Sequence, residues 1–160
     1  MKIPLQSFIN INDSVPHRLL SLCYDELSLH ELLRLSMVAY VKSVLISFRG
    51  IGPRMTFLAE KLKAAVLAQL ERADSTQLPI LLWALFVMAI SIFEGCGEDW
   101  LRVSLVQTMS SLGLQTWSAT RQVLKVVLWT DVLHGVEGMN LFEQCLREPP
   151  SEVGLEGIHV

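Results

Sequence analysis

Charge is scarce in this 160-residue chain: Asp, Glu, Lys and Arg make up 18% of it, where an ordinary soluble domain has about 25%. The residues that mark special classes are few as well, with Cys at 3, Pro at 6 and Gly at 9. These shortages exclude collagen-like, proline-rich and disulfide-dense chains. Cys23, Cys96 and Cys145 are widely separated, and none has a Cys or His two to four residues away. Zinc sites draw two ligands from one short loop, so no such site is expected. The odd count and wide spacing predict reduced structural thiols inside a cell. Met1 to Gln6 starts no continuous apolar run, and no secretory leader is expected.

Positive charge is also limited. Thirteen Lys and Arg face 16 Asp and Glu, for a net charge of −3. From Asp131 to Val160 there are six acids and one base, Arg147, so the acidity gathers at the C-terminal end. Neither part carries the basic stripe that collects phosphates, and direct nucleic-acid binding by this chain is not expected.

Catalytic motifs are missing too. Gly50-Ile51-Gly52 lacks the third glycine and the preceding strand of a dinucleotide loop, and neither Gly-x-Ser-x-Gly nor His-Glu-x-x-His occurs. Glu94, Glu98 and Asp99 surround Cys96, and a distant His134 would be needed to make a metal site of them. Helix capping and solubility explain these acids more simply. His17 and His30 fall near expected helix starts, and His159 falls in the tail. His134 falls at an expected helix end, where the carbonyl dipole favours an imidazolium. No segment offers a nucleophile, a base and an orienting group together. No catalytic, cofactor-binding or metal-ligating residue is assigned, and no cofactor is expected.

What the chain has in quantity is apolar surface to bury, 51% of its residues. Leu78 to Phe93 runs sixteen residues without a charge. A helix of that length spans about 24 Å, short of a bilayer core of about 30 Å. With Pro79 in its first turn and Gly95 beyond its end, it reads as a soluble helix buried on most sides.

Helical periodicity continues on both sides. Ser28-Leu29-His30-Glu31 fits a capping box, followed by Leu29, Leu33, Met37, Val41, Val44 and Phe48 at helical spacing. Gly50-Ile51-Gly52-Pro53 breaks that run. A helix from near Pro53 places Met55, Leu58, Leu62, Val66 and Leu70 on one face, with Glu60, Lys61, Lys63, Gln69 and Arg72 on others. Asp74-Ser75-Thr76-Gln77 ends it and caps the apolar helix. After Glu98 and Asp99, the residues Trp100, Leu101, Val103, Leu105, Val106, Met109 and Leu112 form the next helix, stopped by Gly113. Ser118 then caps a helix through Val123, Leu124, Val127, Leu128 and Val132, closed by His134-Gly135. A short last helix spans about Met139 to Leu146, before Pro149-Pro150. The class is all-α, an irregular multi-helix bundle of about six helices. Residues 1–27 form an irregular segment with room for a short helix near Val15 to Leu22. Residues 28–147 form the helical portion and 148–160 a loose acidic tail.

Four landmarks come in order: Leu81-Leu82-Trp83-Ala84-Leu85-Phe86, then Asp99-Trp100-Leu101, then Leu112-Gly113-Leu114-Gln115-Thr116-Trp117. Last is Val123-Leu124-Lys125-Val126-Val127-Leu128-Trp129-Thr130-Asp131, with Gly138-Met139-Asn140-Leu141-Phe142 after it. Across Leu78 to about Cys145 this arrangement resembles the C-terminal part of the fungal-specific transcription factor regulatory domain, the helical region of zinc binuclear-cluster transcription factors. Trp83, Trp100, Trp117 and Trp129 carry most of the likeness, and in any bundle such rings fill the space between helices. The chain departs from the family in lacking its six-cysteine cluster and the adjacent basic stretch.

The resemblance implies a non-enzymatic regulatory and protein-interaction module in the nucleus, as part of a larger helical domain. It further implies a fragment or truncated member without the DNA-reading cluster. A protein partner or self-association is expected, with a small effector as a further option and no membrane. The alternative is a small helical enzyme or ligand-binding protein, with a site between helices that collects His134, Glu94 and Cys96.

Overall fold

A computed structural model describes residues 14–45, 56–93, 95 and 97–147. The protein is all-α: these residues hold seven helices and no strand. Helix α1 covers residues 14–21, α2 Leu29–Leu45, α3 Thr56–Leu70, α4 Leu78–Ser91, α5 Asp99–Ser111, α6 Trp117–Val127 and α7 Asp131–Arg147.

Helix α4 is the axis of the bundle. It packs against α2, α3, α5, α6 and α7, which is why apolar residues run all the way round it. Every residue from Leu81 to Ala89 is buried. Asp74 turns the chain into this helix, its Oδ1 accepting the amides of Thr76 at 2.9 Å and Gln77 at 3.1 Å. Pro79 sits in the first turn, where its missing N–H costs nothing. Among the described residues no helix is long and apolar enough to cross a membrane.

Helix α5 stops where the sequence places its stop. Gly113 adopts φ 66°, and the Leu114 amide beyond it donates to Met109 O at 2.9 Å. Within α5, Ser104 and Thr108 are buried and satisfy themselves, donating to the carbonyls of Trp100 at 2.8 Å and Ser104 at 2.7 Å.

The core face of α2 differs from the expected row. Leu32, Leu35, Ser36, Ala39 and Tyr40 are buried, whereas Leu29, Leu33 and Met37 pack at the core's margin. Both rows are apolar at helical spacing, and only docking on α4 chooses between them. The capping box forms by half: Ser28 Oγ accepts the Glu31 amide at 3.1 Å. The Glu31 carboxylate turns forward instead, pairing with Arg34 Nε at 2.7 Å and Nη2 at 2.6 Å. Arg34 Nη1 also donates to Leu19 O at 3.1 Å, fastening α1 to α2.

Gln69 is buried, not on the polar face of α3. Its Nε2 donates to Leu27 O at 2.6 Å, satisfying a carbonyl in the α1–α2 connection. The cap of α6 is Thr116 and not Ser118: its Oγ1 accepts the Ala119 amide at 3.3 Å.

The largest correction concerns α6 and α7. The helix expected to run through Val132 ends at Val127, and Leu128 to Thr130 form a corner. A seventeen-residue helix then begins at Asp131 and passes straight through His134, Gly135 and Gly138. His134 therefore lies in a first turn, not a last one. Two long-range bonds hold the corner open: the Trp83 indole N–H donates to Leu128 O, and Tyr40 Oη lies 2.9 Å from Thr130 Oγ1. Asp131 binds the outside of the corner, accepting from Arg121 Nε at 2.7 Å and Nη2 at 2.6 Å and pairing with Lys125.

Trp83 is completely buried and Trp129 nearly so, while Trp100 and Trp117 are half-buried. Phe86, Trp117 and Trp129 form one cluster with ring centroids 6.0–6.2 Å apart. Met55, the break at Gly50-Ile51-Gly52-Pro53, Phe48, Glu94, Cys96, Pro149-Pro150 and the tail 148–160 lie outside the described residues.

Candidate functional site

Tyr40, Ser43, Thr130 and His134 form a polar cluster where α2 meets the first turn of α7. Ser43 follows Tyr40 by three residues on α2, and its hydroxyl donates to Tyr40 O at 2.7 Å. His134 Nε2 lies 2.8 Å from the same Ser43 Oγ. The imidazole is buried and packed between Tyr40 and Trp129, with ring centroids at 5.1 and 5.3 Å. The Thr130 carbonyl starts α7 by accepting the His134 amide at 2.9 Å, while its side chain turns to Tyr40.

A serine beside a histidine invites comparison with an activated nucleophile, and protons assigned from the hydrogen-bond network argue against it. Ser43 has one proton, committed to Tyr40 O, so it receives the bond from His134 Nε2–H. That tautomer leaves Nδ1 as the lone-pair nitrogen, buried without a hydrogen-bond partner among the described residues. The opposite tautomer would bury an unpaired N–H, the costlier arrangement. With this assignment His134 is a donor to Ser43 and not its base. Burial pushes the imidazole pKa down, against a smaller upward pull from Glu137. The neutral ring is the one this corner holds.

Of the other sequence candidates, Glu94 and Cys96 lie outside the described residues, and the described ones do not gather around His134. Glu98 and Asp99 are exposed at the start of α5, and Asp99 pairs with Arg102 at 3.1 Å. His17 is exposed on α1, and His30 is exposed on α2 and stacks on Tyr24 at 5.5 Å. Among the described residues no three or more His, Cys, Asp or Glu are grouped to hold a metal. A pocket between α2 and α3, lined by Glu26, Glu31, Leu35 and Lys61, holds about 50 Å³. Small-molecule sites need about 300 Å³ or more.

A different feature stands out on the surface. Helix α7 buries His134, Gly138, Leu141, Phe142 and Cys145 against the bundle. Its opposite face carries apolar residues as well, beside Asn140 and the Glu143–Arg147 ion pair at 2.8 Å: Val132 is 94% exposed, Val136 70%, Leu146 57% and Met139 40%. At the end of α6, Val126 is 81% exposed. Val132 was expected on a core-facing row with Val127 and Leu128. The corner at Leu128–Thr130 turns it outward instead.

Tyr40, Ser43 and Thr130 did not stand out in the sequence. The local signal for Thr130 was present, since Thr130-Asp131 is a cap followed by a first-turn acid. It was hidden by the unbroken apolar spacing from Val123 to Val132. Comparison of the chain with protein-family models, with curated proteins and with solved structures finds no match in any of the three.

Proposed function

We propose that the chain is a non-enzymatic protein-interaction module that acts in the nucleus as a regulatory region of the fungal zinc-cluster transcription factor type. The observation that carries this reading is the outward apolar face of α7. Exposed apolar rows on a helix already buried on its other side are a mark of protein contact sites. The landmarks from Leu81 to Phe142 support the family assignment, and the tautomer at Ser43–His134 supports a structural role for the most enzyme-like pair.

The test is a tethering experiment. The full chain is fused to an unrelated DNA-binding domain, and transcription of a reporter carrying that domain's site is measured in a fungal host. The fusion is expected to change reporter output, with Val136→Glu reducing the change. Output equal to that of the DNA-binding domain alone would overturn the regulatory reading.

A further inference from the structure

His134 is the one buried side chain in the N-terminal turns of α7. From Thr130 to Glu137 no other residue is buried, and Val132, Leu133 and Val136 are exposed. The later turns have anchors of their own in Leu141, Phe142 and Cys145. His134 is held by its Nε2–H, which donates to Ser43 Oγ at 2.8 Å, and by ring contacts with Tyr40 and Trp129. Its Nδ1 is buried without a hydrogen-bond partner among the described residues. We propose that this site is a proton-sensitive latch: a proton taken up at Nδ1 releases the N-terminal turns of α7 from α2, while the later turns stay docked.

The closed site disfavours a second proton. Protonation turns Nδ1 into a donor, and a buried donor without an acceptor is costly. The ring also sits in a first helical turn, where the backbone carries partial positive charge. From α2 it meets Tyr40 and Ser43, and from the corner Trp129, none of them a carboxylate. Helix α4 has no charged residue. On α6, Arg121 and Lys125 are cations, and both pair with Asp131 on the outside of the corner. On α5, Asp99 and Arg102 pair with each other. Glu137 is the one carboxylate that favours the charged ring, and its pull is smaller than the burial penalty. In the open form the imidazole reaches water, where both nitrogens can donate. Proton uptake therefore favours opening as pH falls through and below about 6.5. Val132 and Val136 ride on the released turns, so the latch governs how the outer face of α7 is presented, whatever that face binds.

The test is residue-resolved amide hydrogen exchange of the full chain at pH 7.5 and pH 5.5, corrected for the intrinsic pH dependence of exchange. Protection at residues 134–138 is expected to fall by up to about tenfold, the factor set by one pH unit below about 6.5. At pH 5.5 these amides should exchange at a rate insensitive to urea below the unfolding transition, because a local opening exposes little surface. His134→Gln keeps a donor for Ser43 but takes up no proton, and should lose the pH effect. A second variant with His17, His30 and His159 all replaced by glutamine leaves His134 as the only histidine, and should keep the effect even where His134→Gln fails to fold. Unchanged protection at residues 134–138, or its fall in His134→Gln, would overturn the latch. So would loss of the effect in the second variant. Exchange at residues 134–138 that quickens with urea as steeply as that of α4 would mean unfolding of the whole chain, and would overturn it as well.

Discussion

Gly138 lies against Trp129 so closely that a Cβ on the glycine would stand 2.7 Å from Trp129 Cζ2. Trp117 Cη2 is equally close, at 2.7 Å. Two indoles therefore occupy the space a side chain would need, and α7 can approach α4 and α6 only because position 138 is bare. Gly135, one turn earlier, has no such neighbour.

The two glycines predict opposite signs for one substitution. Gly138→Ala overpacks the tryptophan cluster at about 1–3 kcal/mol, which outweighs the gain in helix propensity of up to about 1 kcal/mol. Gly135→Ala collects that gain unopposed and stabilises by about 0.5–1 kcal/mol. Urea unfolding of the two variants beside the wild type measures both. Equal effects at the two positions would show that the indoles do not crowd position 138.

Trp83 joins the core to the corner between α6 and α7. Trp83→Phe keeps most of the buried ring but removes the donor to Leu128 O, and should cost about 1–3 kcal/mol. Trp83→Ala adds a cavity and should cost about 3–5 kcal/mol. Against a stability of about 5–15 kcal/mol, the second loss threatens folding. The first should also raise amide exchange at residues 128–131, which a loss of packing elsewhere would not do. Protection unchanged at those amides would count against the bond's role.

His134 makes stability depend on pH. Burial lowers its pKa in the folded state, so between the unfolded value near 6.5 and the lower folded value the unfolded chain binds more protons. The contribution is complete above about pH 6.5 and is lost progressively as pH falls through and below that value. Urea midpoints should therefore drop from pH 7.5 to pH 5.5 in the wild type, with a shallower drop in His134→Gln. Nitrogen chemical shifts of the ring should report a proton on Nε2 at neutral pH. A proton on Nδ1 would reverse the donor assignment at Ser43 and reopen the case for a basic His134.

The sequence makes the class and most helices readable, because the local signals agree with the packing. Asp74, Pro79 and the uncharged run place α4, and Gly113 stops α5 through its own backbone. The errors occur where a distant residue decides. From Val123 to Val132 the apolar spacing continues without a break, and the corner is held by Trp83 and Tyr40, 45 and 90 positions away in the chain. Gln69 turns inward for a carbonyl 42 positions away. His134-Gly135 reads as a helix end, and the need for a bare position at Gly138 shows only once the two indoles are placed beside it. The outward face of α7 was hidden by the same error, since Val132 can be recognised as exposed only once α6 has ended.

The most direct measurement is the reporter output of the tethered wild-type chain beside that of the tethered Val136→Glu chain. Val136 is exposed in the single chain, so the substitution should change stability by no more than about 0.5 kcal/mol. The wild-type fusion is expected to change output, and the variant to change it less while melting at the wild-type temperature. A wild-type fusion with the output of the DNA-binding domain alone, or a variant that changes output as strongly as the wild type, would contradict the reading.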